Sequence, residues 1–198
     1  MIAARHDAAP GGEGPTLLLT FHGTGGDEHQ FHDLGRELAP RAHVVSPRGA
    51  VSEGGALRFF RRTAEGVYDR EDLGARVEAM AAFIAGEIAR TKATRVAALG
   101  YSNGANILAF TMMAHPGLVR EAALMHPLVP WTPPPSPGLA GARVLLTAGR
   151  RDPICPTPLT QALADWLTAQ GSAVDLLWHE GGHEIAPAEI SALQRFLG

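Results

Sequence analysis

Short apolar runs alternate with longer amphipathic stretches along most of this chain. Runs of five to seven mostly apolar residues have the length of strands buried in a sheet, and they predict strands at 16–21, 42–46, 95–99, 119–125, 143–148 and 173–178. Between these runs, apolar residues recur at helical spacing. This spacing predicts helices over about 27–39, 72–91, 105–114, 157–169 and 189–197.

The alternation of strands and helices predicts an α/β fold, because parallel strands need crossover connections that are usually helical. We expect a mostly parallel sheet of about six to seven strands, with helices on both faces and no lid domain. The chain has 198 residues and one compositional regime, so residues 1–198 are expected to form a single domain.

Three segments do not fit the alternation. Residues 1–15 are small and polar, and we interpret them as a loose lead-in that holds at most one short edge strand. Residues 47–71 show no period and predict a long loop, a feature that is usually functional in a compact domain. Residues 126–138 are too rich in proline for a regular helix or an inner strand.

The overall composition excludes several classes of protein. Hydrophobic residues make up 45% of the chain and charged residues 19%, which is typical of a globular protein. The net charge is −3 without a basic block, which argues against nucleic-acid binding. No apolar run approaches the roughly 20 residues of a membrane span, and the N-terminus does not resemble a signal peptide. The single cysteine, Cys155, excludes an internal disulfide, so we expect a cytoplasmic protein.

The motif Gly100-Tyr-Ser-Asn-Gly104 points most directly to chemistry. It has the pattern Gly-x-Ser-x-Gly and stands between a predicted buried strand and a predicted buried helix. In that context Ser102 occupies a sharp strand-to-helix turn, the nucleophile elbow, which exposes the hydroxyl at the end of the sheet. The turn is so tight that only glycine is expected to fit at positions 100 and 104.

A serine nucleophile needs a base, and the base needs an orienting acid. In open parallel sheets, functional groups gather beyond the carboxyl ends of the strands. Asp152 follows the predicted strand 143–148, and His183 follows the predicted strand 173–178. The order Ser102, Asp152, His183 is that of the α/β-hydrolase triad. We expect Ser102 to attack an acyl carbonyl, His183 to act as base and then acid, and Asp152 to orient the imidazole.

Spacing alone leaves alternatives for the acid and the base. Asp165 and Asp175 are also available, but they fall within a predicted helix and a predicted strand. His179 competes with His183 because it ends the last strand, although it is also interpreted as a partly buried structural residue. His183 is favoured because it follows two glycines, which allow the chain to swing an imidazole across the sheet edge.

Two backbone N–H groups are expected to bind the negative charge that develops on the substrate carbonyl oxygen. The N–H of Asn103, directly after the nucleophile, should supply one. The loop 22–26 after the first predicted strand should supply the other through Thr24, with Gly23 as the alternative. A strand-to-helix turn is often rich in glycine for structural reasons alone, and that interpretation also applies to this loop.

Residues near this edge are candidates for a substrate pocket: Gly23, Phe60, Arg62, Leu128 and Trp131. The three arginines at 58, 61 and 62 would hold a carboxylate or a polar acyl group, or would be solvated loop charges. Leu128 and Trp131 follow a predicted strand on the catalytic edge, where core packing explains them at least as well. Phe60 is interpreted as a residue that packs in the core or forms part of the pocket wall.

No metal or organic cofactor is expected. His22, His29 and His32 lie close in sequence, and a metal site is the minor alternative. However, His22 belongs to the loop that should bind the oxyanion, and the other two fall on a predicted helix surface. The glycines of that loop lack the third glycine and the acidic residue of a dinucleotide-binding fingerprint. Cys155 has no dedicated base at motif spacing and is interpreted as a buried or half-buried thiol.

The chain resembles the phospholipase/carboxylesterase group of α/β-hydrolases, near the dienelactone-hydrolase-like and acyl-protein-thioesterase-like enzymes. The segments that carry the resemblance are HGTGGDE (22–28), GYSNGAN (100–106), GRRDPICP (149–156) and WHEGGH (178–183). The resemblance implies a small bacterial carboxylesterase that cleaves carboxylic esters through an acyl-serine intermediate. It implies a small-molecule ester substrate, no cofactor, and a homodimer as an allowed assembly.

Two features depart from the pattern of this group. Thioesterase-like relatives usually have leucine in place of Thr24 and glutamine in place of Asn103, which argues against a lipid-type acyl substrate. The short lead-in implies a trimmed sheet. The alternative functions are a thioesterase or acyltransferase with the same triad, or a small-molecule receptor that keeps the fold but hydrolyses little.

Overall fold

Strands alternate with helices along the chain, as the apolar pattern predicts. The computed structural model describes residues 2–9 and 15–198. Its strands are β1 (Ala4–Asp7), β2 (Thr16–Phe21), β3 (His43–Pro47), β4 (Val51–Glu53), β5 (Ala56–Arg58), β6 (Arg62–Ala64), β7 (Val67–Tyr68), β8 (Arg95–Tyr101), β9 (Glu121–Met125), β10 (Arg143–Gly149) and β11 (Ala173–His179).

The helices are α1 (His32–Leu38), α2 (Arg70–Thr91), α3 (Asn103–Ala114), α4 (Thr157–Ala169) and α5 (Pro187–Leu197), with a 3-10 turn at Pro137–Leu139. None of the helices in the described part of the chain is long and apolar enough to cross a lipid bilayer. α1 begins at His32, later than predicted. The Asp27 side chain accepts a hydrogen bond from the His29 N–H (2.9 Å), and this local turn competes with helix.

Seven of the strands form one sheet in the order β1-β3-β2-β8-β9-β10-β11. β1 runs antiparallel to β3, and the remaining strands pair in parallel. The register places Phe21 beside Gly100, and Gly149 beside His179. The carboxyl ends of β2, β8, β9, β10 and β11 therefore meet at one edge. The predicted mostly parallel α/β sheet is confirmed.

Helices cover both faces of the sheet, because successive side chains of a strand point to opposite faces. Leu17, Leu19 and Phe21 of β2 pack with α2, α3 and α4 in the larger core. Leu18 points the other way and packs with α1 and α5 in the smaller core. The two cores bury the sheet on both sides, which fixes the positions at which its strands end.

The segment 47–71 is not one long loop, as the sequence predicts, but two short antiparallel hairpins, β4–β5 and β6–β7. Gly54 and Gly55 turn the first hairpin and Gly66 turns the second. Their φ angles of 58°, 93° and 70° suit glycine, which adopts positive φ without strain. Strands of two or three residues are too short to show an alternating pattern, so the sequence alone did not predict them.

The lead-in holds one short edge strand, as expected. This strand, β1, pairs with β3 from Ala4 opposite Pro47 to Asp7 opposite Val44. The rest of the predicted lead-in is only partly covered, because residue 1 and residues 10–14 lie outside the described residues.

The turn between β8 and α3 brings three chain segments into close contact. A side chain on Gly100 would lie 2.7 Å from the Gly104 carbonyl oxygen, and one on Gly104 would lie 2.5 Å from the Phe21 carbonyl oxygen. Both neighbours are backbone atoms that cannot turn aside. The prediction that only glycine fits at these two positions is confirmed, and it allows α3 to begin directly against the end of β2.

We expect Gly104→Ala to destabilise the folded protein by about 1–3 kcal/mol, the usual cost of overpacking a dense site. Gly86→Ala is the matched control, because Gly86 is exposed on α2 with open space around it. Alanine there should stabilise the helix by about 0.5–1 kcal/mol. Urea unfolding measures both changes, and an unaltered midpoint for Gly104→Ala contradicts the close packing.

Candidate active site

Ser102 stands at the carboxyl edge of the sheet, between the end of β8 and the start of α3. Its φ of 52° and ψ of −118° lie outside the regions that residues with side chains usually adopt. The Ser102 N–H donates to the Met125 carbonyl (2.9 Å), and the Ser102 carbonyl accepts from the Asn106 N–H (2.9 Å). Backbone strain of this kind recurs at functional sites, and the side chain remains partly exposed.

His183 lies on the loop after β11 and faces this serine. Its Nε2 is 2.9 Å from the Ser102 Oγ, and its Nδ1 is 2.7 Å from the Asp152 Oδ2. A carboxylate oxygen only accepts hydrogen bonds, so Nδ1 carries the proton and Nε2 offers a lone pair. The imidazole is therefore arranged to accept the proton of the serine hydroxyl.

Asp152 follows β10, and its side chain is fully buried. Its Oδ1 accepts hydrogen bonds from the N–H groups of Ile154 (2.8 Å) and Cys155 (2.9 Å). Its Oδ2 accepts from His183 and from His126, the latter at 2.8 Å. Burial alone would raise the pKa of Asp152, but these hydrogen bonds hold it below its ordinary value. The side chain is an anion that orients two imidazoles.

Asp165, Asp175 and His179, the alternatives for the acid and the base, form no hydrogen bond with Ser102 or His183. Asp165 is on α4, where it accepts a hydrogen bond from Gln161 (2.9 Å), and Asp175 lies within β11. His179 ends β11, but its Nε2 lies 3.3 Å from the Glu189 Oε2. The geometry favours the aspartate and the histidine that follow their strands over these alternatives.

A cavity of about 250 Å³ opens beside the Ser102 hydroxyl, and Thr24 and Asn103 line it. The Thr24 N–H has no acceptor among the described residues. The Asn103 N–H begins α3, where a helix offers no internal acceptor. The Gly23 N–H already donates to the Gln30 Oε1 (2.8 Å), so Thr24 is the better candidate of the two loop residues.

Two of the predicted pocket residues line this cavity, and three lie outside its lining. Arg62 and Leu128 border it. Phe60 is fully buried and packs edge-on against a tyrosine ring, so it belongs to the core. Trp131 stacks on a phenylalanine of α3, with ring centroids 5.2 Å apart. Gly23 packs against the ring of the tyrosine in the Gly-x-Ser-x-Gly motif.

The three arginines of the hairpin segment have different surroundings. Arg58 is buried, and its Nη1 donates to the Thr24 Oγ1 at 2.7 Å. Arg62 borders the cavity and pairs with Glu53 at 3.1 Å. Arg61 is exposed but pairs with the buried Asp72 at 3.2 Å, and it does not line the cavity. The two cations nearest the cavity are thus Arg58 and Arg62, and Glu53 contacts both of them.

The three histidines considered as metal ligands have separate partners. The His22 Nε2 accepts from the Gly49 N–H (2.9 Å), and its Nδ1 donates to a neighbouring carbonyl (2.7 Å). His32 is buried and hydrogen-bonded to Ser46 (2.7 Å), so its predicted place on a helix surface is wrong. Its helix packs that face against β3. Only His29 of the three is exposed.

Comparisons with known proteins find a hydrolase and a carboxylesterase among the proteins similar to this chain. No protein-family model matches the chain. MhqD of Bacillus subtilis (strain 168), which is named as a hydrolase, is 39% identical over 180 residues, 90% of each chain. The crystal structure of a Bacillus cereus carboxylesterase is 35% identical and covers 100% of this chain and 93% of its own, with a TM-score of 0.92.

The chain belongs to the bacterial carboxylesterases of the α/β-hydrolase fold. The structure of Atu2452 from Agrobacterium tumefaciens str. C58 is also similar, with 51% identity, coverage of 98% of this chain and 94% of that one, and a TM-score of 0.93. The protein is therefore a hydrolase, and its relatives support ester hydrolysis as its general activity.

Tyr101 is a site residue of this hydrolase that the sequence did not reveal. Its hydroxyl donates to the His183 carbonyl (2.6 Å), and the two rings lie 5.3 Å apart. Burial raises the pKa of Tyr101 to about 12, so it remains a neutral donor. It holds the loop that carries the imidazole. Its position in the Gly-x-Ser-x-Gly motif is a signal that could have found it.

A second group that the sequence did not reveal contacts Asp152 directly. His126 follows β9, and its Nδ1 is 2.8 Å from the Asp152 Oδ2. Its Nε2 is 3.2 Å from the Oε1 of Glu189 on α5. The position of His126 directly after a strand is the same signal that identified Asp152 and His183.

Two groups of three potential metal ligands occur among the described residues: His126, His179 and Glu189, and His126, Asp152 and His183. The Gly181 N–H donates to the His179 Nδ1 (3.0 Å), so the proton of neutral His179 lies on Nε2, which then has no lone pair for a metal. In the second group, both imidazoles direct a protonated Nδ1 at one carboxylate. Hydrogen bonds account for both groups, and neither fits a metal in this arrangement.

We expect the esterase to lose stability on acidification through its buried carboxylates. The pKa values of Asp152 and Glu189 lie below their ordinary values of about 4. Each group therefore stabilises the folded state above that range and loses its contribution as the pH falls through its folded-state value. Glu189→Gln should flatten the fall of urea-unfolding free energy below about pH 5, whereas exposed Glu37→Gln should not. Equal pH slopes in both variants contradict this.

Proposed function

We propose that the protein cleaves small carboxylic esters through an acyl-serine intermediate, with Ser102, His183 and Asp152 as its catalytic residues. The observation that carries the proposal is the continuous hydrogen-bonded series from the Ser102 Oγ through His183 to the Asp152 carboxylate, at 2.9 and 2.7 Å. These are the distances at which an imidazole accepts a proton from a serine. The serine occupies the nucleophile elbow and faces the cavity.

The reaction divides into two acyl transfers. The Ser102 oxygen attacks the substrate carbonyl carbon, and His183 Nε2 takes the hydroxyl proton. The tetrahedral intermediate collapses, the bond to the alcohol oxygen breaks, and His183 returns the proton to that oxygen. Water then attacks the acyl carbon while His183 takes its proton, the bond to the Ser102 oxygen breaks, and His183 returns the proton to that oxygen as the acid product leaves. Asp152 stays ionised throughout and stabilises the imidazolium.

The N–H groups of Thr24 and Asn103 are proposed as the oxyanion hole. Both residues line the cavity beside the nucleophile. Neither N–H has an acceptor within the described chain. Each can therefore donate to the substrate oxygen without first breaking another hydrogen bond. The dipole of α3 adds partial positive charge at the same end, since Asn103 is its first residue.

The size of the cavity supports a small substrate. Its volume of about 250 Å³ lies below the roughly 300–1,000 Å³ of pockets that hold drug-sized ligands. Leu128 and Ile154 form an apolar part of the cavity lining, and Arg62 and the buried Arg58 form a polar part. A short acyl group with some polar character fits this lining better than a long lipid chain.

Ser102→Ala should lower kcat by about a thousandfold or more without unfolding the protein, because it removes the only atom that forms the acyl bond. The assay is hydrolysis of p-nitrophenyl acetate and butyrate, with circular dichroism to verify folding. Ser52→Ala is the control, since Ser52 is exposed on β4 and does not line the cavity.

Retained turnover in folded Ser102→Ala would contradict the proposal. If the wild-type protein cleaved the matched thioesters faster than the esters, the same triad would serve a thioesterase function instead. Tight binding of an ester without turnover would favour a receptor.

A further inference from the structure

A buried charge cluster contacts the acid of the proposed triad. It consists of Asp152, His126 and Glu189, whose side chains are all 0% exposed. The His126 Nδ1 is 2.8 Å from the Asp152 Oδ2, and its Nε2 is 3.2 Å from the Glu189 Oε1. One imidazole thus bridges two buried carboxylates. Buried charges are costly unless they are paired, so the protonation of this imidazole determines whether the cluster is stable.

The hydrogen bonds around His126 determine that protonation. Its Nδ1 faces only a carboxylate oxygen and therefore carries a proton. Its Nε2 faces Glu189 and, at 3.4 Å, the Nε2 of His179. That His179 nitrogen is itself protonated, because the His179 Nδ1 accepts from the Gly181 N–H. A lone pair on the His126 Nε2 could accept only the His179 N–H at 3.4 Å, and it would face the lone pairs of the Glu189 carboxylate 3.2 Å away. A proton on that nitrogen instead donates to Glu189.

The remaining titratable groups around His126 do not supply another buried charge. The Tyr101 ring on β8 lies 5.8 Å away and is neutral, since burial raises its pKa to about 12. The Cys155 Sγ donates to the His126 carbonyl (3.2 Å), and burial also raises the pKa of this thiol. Glu184, on the loop after β11, is exposed. The His183 ring lies 5.1 Å from the His126 ring and contacts the same Asp152 oxygen, Oδ2.

We propose that His126 is an imidazolium across the neutral pH range, and that it ties Asp152 to Glu189 and limits how readily His183 takes up a proton. His126 is a positioning residue, since it acts on the base through Asp152; the kinetic part of this inference rests on the proposed function. At rest, two carboxylates and one imidazolium give the cluster a net charge of −1. Protonation of His183 during the reaction brings the sum to zero.

Two further features agree with this assignment. Burial alone would lower the pKa of His126, but the hydrogen bonds with Glu189 and Asp152 raise it above its ordinary value. Burial alone would raise the pKa of Glu189, but its hydrogen bonds with His126 and Thr147 lower it. In addition, the His126 backbone has a φ of 50°. A non-glycine residue in that conformation is uncommon, and strain is retained where the side chain has a role.

NMR of protein labelled with 15N-histidine tests the protonation directly. Both ring nitrogens of His126 should still be protonated at neutral pH, where an ordinary histidine has lost one of the two protons. The His126 signals are assigned by their loss from the spectrum of His126→Asn or of His126→Asn/Glu189→Gln. An unprotonated His126 nitrogen at pH 7 overturns the proposal, whether or not the protein hydrolyses esters.

Kinetics of His126→Asn test the effect on the base. Asparagine tolerates positive φ, and its amide nitrogen stands where Nδ1 stands, so the donor to Asp152 remains while the positive charge is lost. The cluster then carries −2, and the base protonates more readily. We expect the acid limb of the kcat/KM profile to shift to higher pH by about one unit. The shift follows because the variant removes a positive charge about 5 Å from the base.

The double variant His126→Asn/Glu189→Gln separates charge from packing. It restores the net charge of −1, so its acid limb should return toward that of the wild type. His115→Asn, at the end of α3 and outside the cluster, should leave the profile unchanged. A loss of kcat at all pH values with a fixed acid limb in both cluster variants would mean that His126 is only structural, and would overturn the proposal.

Discussion

The close approach of α3 to the end of β2 is the constraint on which the whole site depends. Because Gly104 has no side chain, the first turn of α3 packs against backbone at Phe21. This contact holds Ser102 in its strained conformation and brings the N–H groups of Asn103 and Thr24 to one cavity. The absence of a side chain at Gly104 thus connects the packing of the core to the position of Ser102.

Buried charge is the second constraint. Asp152 is removed from water, yet it stays ionised because two backbone N–H groups and two imidazoles donate to it. The loop after β10 supplies the backbone donors, and the ends of β9 and β11 supply the imidazoles. The segments that follow three parallel strands therefore supply the hydrogen-bond donors of one buried carboxylate. Glu189 on α5 supplies a second carboxylate, which contacts His126.

A place at a strand end could be read from the sequence, and it predicted which side chains would lie close together. Asp152 and His183 were found in this way, and the structure places His183 between Asp152 and Ser102. The same rule applies to His126, but the proline-rich segment that it begins obscured the signal. Glu189 had no such signal, because its burial depends on how α5 packs across the sheet. Pocket residues were the least predictable, since side-chain direction within the hairpin segment depends on strands of only two or three residues.

The central claim is that Ser102 is an activated nucleophile, and intact-mass spectrometry after incubation with a fluorophosphonate tests it most directly. We expect one phosphonyl group per wild-type chain, located at Ser102 by peptide mapping, and no label on Ser102→Ala. A folded wild-type protein that remains unlabelled, or a label that persists in the variant, would contradict the assembled triad.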